Sequence, residues 1–178
     1  MREILFYPNP ELLRKSEKVD ENKIDKDLID EMLGILNATN ALGISAPQLG
    51  ELVQIIGINT PQITDDSSKP LIIVNPIIKR HPYKPRRNMR EGCLSIPGFF
   101  ERVRRYEWIE WEYLDYETGI IVNTTSQQLM SAAVQHEIDH LNGILFIDRI
   151  GLEERALFDG NWEKTIQLIQ RDIENEKM

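Results

Sequence analysis

The sequence predicts an α+β fold: one catalytic domain over residues 1–178, with antiparallel or mixed β-sheets packed around a central metal-binding helix and an amphipathic helix at the C-terminus. Three observations lead there. Apolar residues recur at helical spacing in three separate runs, at 24–37, 126–142 and 152–178. Short β-branched and aromatic runs fill the interval between the first two helices. No repeat, low-complexity tract or linker divides the chain.

Composition narrows the functional class. A chain of 178 residues can bury a core without disulfides, and 41% hydrophobic with 28% charged residues is a globular balance. The net charge of -8 argues against general affinity for DNA, other nucleic acid or anionic membrane, each of which needs a broad basic field. Residues 1–13 carry charges and two prolines where a signal peptide needs an unbroken apolar stretch, and no run reaches the roughly eighteen apolar residues of a membrane span. Cys93 is the lone cysteine, which excludes an intrachain disulfide and points to a reducing compartment, with the cytoplasm the expected one.

In chain order, Ile4 to Val19 contains Pro8-Asn9-Pro10 and reads as an extended lead-in with a turn, wrapping the domain. Ile24, Leu28, Met32, Ile35 and Leu36 mark an amphipathic packing helix over 24–37. Ala41 to Gly50 is rich in small residues around one amide, Gln48, and by local chemistry reads as a loop that lets backbone come close to another chain. Strands are expected at Val53–Ile58, Leu71–Ile77, Arg104–Tyr113 and Ile120–Asn123, with a polar loop at Pro61–Pro70 and a hairpin turn at Asp115–Gly119. Lys79, Arg80, Lys84, Arg86, Arg87 and Arg90 form an isolated basic block in an acidic protein, read as a solvated loop or as a contact for RNA or an acidic substrate. After the central helix, Ile144–Ile150 reads as extended apolar chain. Phe158, Trp162, Ile166, Ile169 and Ile173 then mark the terminal helix, interrupted near Gly160.

The central helix carries the chemistry. From Ser126 no proline or glycine intervenes before Gly143, and Met130, Val134, Ile138 and Leu141 share one face, while Gln128, Ser131, Gln135, Asp139 and Asn142 make a polar side. At about 100° per residue, His136 and His140 project together with Glu137 beside them. Two imidazoles one turn apart can point ring nitrogens at one divalent ion, with the carboxylate in reach of a water on it.

A catalytic site of this kind needs a third ligand and an open position. Cys93, in Glu91-Gly92-Cys93-Leu94-Ser95, is one candidate; an acid on the terminal helix such as Glu163 is another. Cys93 could also serve as a thiol nucleophile, a scheme with no need for a His-Glu-x-x-His helix.

Ala41–Gln48, Glu91–Ser95 and Gln135–Gly143 together resemble the three signature motifs of the peptide deformylase family, in order and at about the usual separations. The resemblance extends to the N-terminal Tyr7-Pro8-Asn9-Pro10 and to Gly143–Arg149, so it covers most of the chain. Two departures stand out. Ala41 and Ser45 replace a glycine and an alanine of the first motif, and Phe100 lies where many members place an arginine that holds the peptide.

The resemblance implies that Cys93, His136 and His140 bind the metal, typically ferrous iron, with zinc, nickel or cobalt able to replace it. A thiolate with two imidazoles suits zinc or ferrous iron equally on ligand preference. It further implies hydrolysis of the formyl amide of N-formylmethionyl nascent peptides by hydroxide generated on the metal, releasing formate. Glu137 would be general base and then general acid. Gln48 and the Leu94 backbone N–H would form the oxyanion hole. The backbones of Leu42, Gly43 and Gly92 would pair with the peptide, and the methionine side chain would enter near Leu129, Ala133 and His136. Glu91 and Asp139 would orient the ligands. A transient ribosome contact is compatible with such a substrate; the oligomeric state is not legible.

Overall fold

A computed structural model describes residues 2–64, 69–81, 86–162 and 164. Its elements are α1 (Lys26–Ala38), β1 (Gly43–Ser45), β2 (Ile55–Ile58), α2 (Thr60–Thr64), β3 (Leu71–Arg80), β4 (Arg86–Cys93), β5 (Ile96–Tyr106), β6 (Trp108–Asp115), β7 (Ile121–Gln127) and α3 (Gln128–Leu141). A further helix, α4, covers residues 152–162. β1, β2, β3, β6 and β7 form one antiparallel sheet in the order β1-β2-β3-β6-β7, and β4 with β5 forms a separate antiparallel hairpin. The α+β expectation holds; among the described residues the strand pairings are all antiparallel, with one isolated parallel bridge between Glu17 and Val53.

The sheet is covered on both sides, and side-chain alternation decides which helix lies where. Ile55, Ile72 and Val74 join Leu28, Met32 and Leu36 of α1, whereas Ile56, Ile58 and Ile73 join Val134 and Leu141 of α3. That two-sided burial explains why β2 reads as an unbroken apolar run. Gly57 falls on the α1 side, where a Cβ would come within 2.8 Å of Leu36 Cδ1. A third cluster joins Leu12 of the lead-in, Ile96 and Val103 of β5, Phe146 and the α4 residues Phe158 and Trp162.

Several expectations are corrected. The strand expected at Arg104–Tyr113 straddles a bend at Glu107 where the chain passes from the β4–β5 hairpin to the larger sheet; that bend uses neither glycine nor proline, so nothing local marks it. The basic block is largely strand: Lys79 and Arg80 end β3, and Arg86, Arg87 and Arg90 lie on β4 with their side chains exposed, while Lys84 lies outside the described residues. Ala41–Gly50 contains β1 and a 3-10 turn, Ala46–Leu49, whose four residues are all buried. Within Pro61–Pro70 the chain opens with the helical turn α2, and residues 65–68 lie outside the described part. Phe146–Asp148 is a 3-10 turn rather than extended chain, and α4 runs through Gly160 without a break. Ile166, Ile169 and Ile173 lie outside the described residues, as does the side chain of Glu163.

The central helix differs in two respects. β7 continues to Gln127, so α3 starts at Gln128, which takes a φ of 50° at the junction. Its expected polar side is buried as well: Ser131, Gln135 and Asp139 are enclosed, because partners on β5 satisfy them. Ser131 Oγ and Gln135 Nε2 both donate to the Tyr106 carbonyl, at 2.9 and 2.8 Å. Gly143 closes the helix at φ 70°, and a Cβ there would meet the Leu13 carbonyl at 2.5 Å, which ties the helix end to the lead-in. The lead-in wraps the domain as expected, with Leu5 N–H donating to Gln48 O, Tyr7 N–H to Ser95 O and Ser16 N–H to Leu141 O. No helix is long and apolar enough to cross a membrane among the described residues.

Candidate metal centre and active-site cavity

α3 presents His136 and His140 one turn apart, and the end of β4 brings Cys93 to them. Cys93 Sγ lies 3.3 Å from His140 Nε2, and one ligand atom from each of the three residues falls within 4.8 Å of the others. An ion held tetrahedrally by sulfur and nitrogen separates its ligand atoms by about 3.5 Å, so the trio fits a shared cation. Thiolate and imidazole are ligands for zinc or ferrous iron rather than for calcium or magnesium. The lone cysteine thus lands on the histidine pair from 47 residues away in sequence, as the motif resemblance implies.

An ionic frame holds the first histidine. His136 Nδ1 donates to Glu91 Oε2 at 2.8 Å, which leaves Nε2 available to a shared ion. Glu91 in turn accepts two bonds from Arg105, from Nε at 2.7 Å and Nη2 at 2.8 Å. Arg105 also reaches Asp139, which is clamped from its other side by Arg149 at 2.5 Å. Burial alone would raise the Glu91 pKa, yet the Arg105 and His136 hydrogen bonds hold it down at about 2. Burial opposes charge on His136 too, but hydrogen bonds to Cys93 and Glu91 and the charge of Glu137 raise it well above its ordinary value. His140, buried and beside His136, is pushed well below.

Glu137 and Gln48 complete the floor. Glu137 is 4% exposed, and burial raises its carboxyl to about 7 against the opposing pull of His136. Its Oε2 is buried with no hydrogen-bond partner among the described residues, as is His140 Nδ1. Gly43 makes room for it: a Cβ at 43 would come within 2.5 Å of Glu137 Oε1. Gln48 has its carbonyl oxygen fixed by two donors from Ser45, the backbone N–H at 2.8 Å and the hydroxyl at 3.0 Å. Its Nε2 therefore faces the centre, 3.4 Å from Cys93 Sγ and 3.2 Å from Ser95 Oγ. The Ser45 hydroxyl adds a clamp that an alanine could not supply.

One cavity of about 640 Å³ collects these groups. Gln48, Cys93, Leu94, His136 and Glu137 line it, together with Leu42, Gly43, Gly92, Leu129 and Ala133. His140 lies behind this wall, 1% exposed. Sequence reasoning missed Arg105, whose signal was an arginine in an otherwise β-patterned run, and it missed Met89, Pro97 and Ala132 on the cavity wall; Arg90, which the sequence offers only as part of the basic block, also lines it. Gly92 is needed at the rim because a Cβ there would collide with the Phe100 ring.

The model of the polypeptide deformylase family matches residues 1–156. A peptide deformylase of Campylobacter jejuni is 37% identical over 170 residues, covering 92% of this chain and 94% of the relative. A crystal structure of a peptide deformylase from Legionella pneumophila is similar at TM-score 0.83 and 30% identity, covering 96% of this chain and 98% of the other. A class I type b peptide deformylase from Acinetobacter baumannii, crystallised with Met-Ala-Ser bound, is similar at TM-score 0.75 and 30% identity, covering 84% of this chain and 98% of the other.

Proposed function

We propose how this chain works from one premise: it belongs to the polypeptide deformylase family, hydrolases that remove the N-formyl group from nascent peptides beginning with N-formylmethionine. Cys93, His136 and His140 would hold a divalent metal, for which we take ferrous iron as the native ion and zinc, nickel or cobalt as replacements. When bound, such an ion acts as a Lewis acid that acidifies water and polarises a carbonyl.

The residues around it divide the remaining work. Glu137 takes the proton of the attacking water and delivers it to the amine as the C–N bond breaks, so water and formamide become formate and a free α-amine. Its elevated pKa, near 7, suits both halves of that transfer. Gln48 Nε2, pre-oriented by Ser45, and the Leu94 backbone N–H donate to the formyl oxygen as it gains charge. The backbones at Leu42, Gly43 and Gly92 pair with the extended peptide, and Leu129 and Ala133 receive the methionine side chain. Backbone pairing ignores downstream sequence, which suits an enzyme that meets nascent chains of every kind, in a cytoplasmic setting and with transient access to the ribosome.

The single observation that supports this reading best is the placement of the Glu137 carboxylate and the Gln48 amide in the cavity that also receives Cys93 and His136. The test is formate release from formyl-Met-Ala-Ser by freshly reduced, iron-loaded protein under anaerobic conditions. Stoichiometric formate is expected. No formate with iron, zinc, nickel or cobalt, or internal cleavage of a longer unformylated peptide, would overturn it.

A further inference from the structure

The arginine side chains on the outer face of the β4–β5 hairpin have no role in that scheme. On it Asn88 stands opposite Arg104 and Arg90 opposite Arg102, all exposed, with Arg86 opposite Tyr106 at the far end. The two glutamates of the hairpin, Glu91 and Glu101, occupy the alternate positions. Glu91 is spent on Arg105 and His136, and Glu101 accepts the backbone N–H of Arg102. Arg86 donates to the Tyr106 hydroxyl at 2.6 Å. Among the described residues no carboxylate pairs with Arg90, Arg102 or Arg104. Like charges directly opposite each other weaken a hairpin, so the Arg90–Arg102 pair is a structural liability.

Arg90 is also placed. Its guanidinium carbon lies 5.2 Å from the centre of the Phe100 ring, and both side chains line the active-site cavity. Phe100 lies over Gly92, next to Cys93 in the chain, where a Cβ would come within 2.4 Å of the ring. Arg90 and Gly92 are two positions apart on one strand, a spacing of about 7 Å. An extended peptide paired with the backbone at Gly92 advances at the same rate, so a side chain shortly behind the formylmethionine comes under Arg90.

We infer that Arg90, seated on Phe100 and backed by Arg102 across the hairpin, makes this enzyme favour formyl peptides with an acidic side chain at the second to fourth position. The inference rests on the deformylase reading. An acidic peptide fits better than nucleic acid because Arg90 belongs to the wall of the substrate cavity, and the net charge of -8 repels a long polyanion from the rest of the molecule.

The experiment compares kcat/KM for formyl-Met peptides carrying Asp or Lys at position two, three or four, at low ionic strength. The metal-loaded natural protein should favour Asp by about two- to fivefold at one position at least, an effect carried in KM. The preference should fall to unity in Arg90→Gln, persist in Arg90→Lys, invert in Arg90→Glu, and fade in about 1 M salt, where the screening length is about 3 Å. A ratio of one at all three positions, or a preference unchanged in Arg90→Gln, would overturn the inference. So would inhibition by an RNA oligonucleotide in a protein without peptide preference, which would reassign the face to a polyanion. Absence of formate even from formyl-Met-Ala-Ser would remove the deformylase reading, and this inference with it.

Discussion

The β4–β5 hairpin carries arginine on both of its faces, and the two faces behave as different materials. On the inner face, Arg105 is 4% exposed and bonded to two carboxylates, one of which accepts from His136 of the Cys-His-His cluster. On the outer face, Arg90 is exposed, stacked on an aromatic ring and without a carboxylate among the described residues. The same side chain is a buried strut in one place and a solvated, steerable charge in the other. Local burial and the neighbours within reach decide the role; residue type does not.

Replacement of groups on the floor of the cavity should therefore be severe, and replacement on the rim mild. Glu137→Gln should keep its metal and lose about 10²- to 10⁴-fold in kcat, measured by formate release beside metal content. Full turnover there would reduce the floor to a ligand cage. Arg105→Met, which leaves Glu91 and Asp139 buried with one cation fewer, should lose about 3–5 kcal/mol of stability in denaturant titration. Arg102→Met on the opposite face should change stability little, and equal losses in the two variants would erase the distinction between faces. Gln48→Ala should cost about 10²- to 10³-fold in kcat with a smaller change in KM. Ser45→Ala should show a weaker version of the same pattern, because the backbone N–H of residue 45 still holds the Gln48 oxygen; a shift confined to KM would make Gln48 a binding residue.

Legibility in the sequence followed the range of the interactions involved. α1 and the Asp115–Gly119 turn were readable because period and turn chemistry are local. His136 and His140 were readable for the same reason, since one helical turn brings them together. Cys93 came through the resemblance to a family; its own neighbours left Glu163 and a thiol nucleophile open, and only the fold carries a sulfur across 47 positions. The β4–β5 hairpin escaped notice because its alternate positions are arginine, which masks a period of two when the inner face is itself built from Arg105 and Glu91. Ser131, Gln135 and Asp139 read as a polar side of the helix, yet all three are buried, because a polar residue packed against a polar partner cannot be told from a solvated one until that partner is known.

The most direct test of the whole account is metal content in Cys93→Ser beside the natural protein, both reconstituted anaerobically, with cobalt as an optical reporter of thiolate ligation. The natural protein should bind one ion per chain and show a sulfur-to-cobalt charge-transfer band; the variant should lose that band and hold the ion far more weakly. An unchanged stoichiometry and an unchanged spectrum would place the third ligand elsewhere and contradict the convergence of β4 on α3.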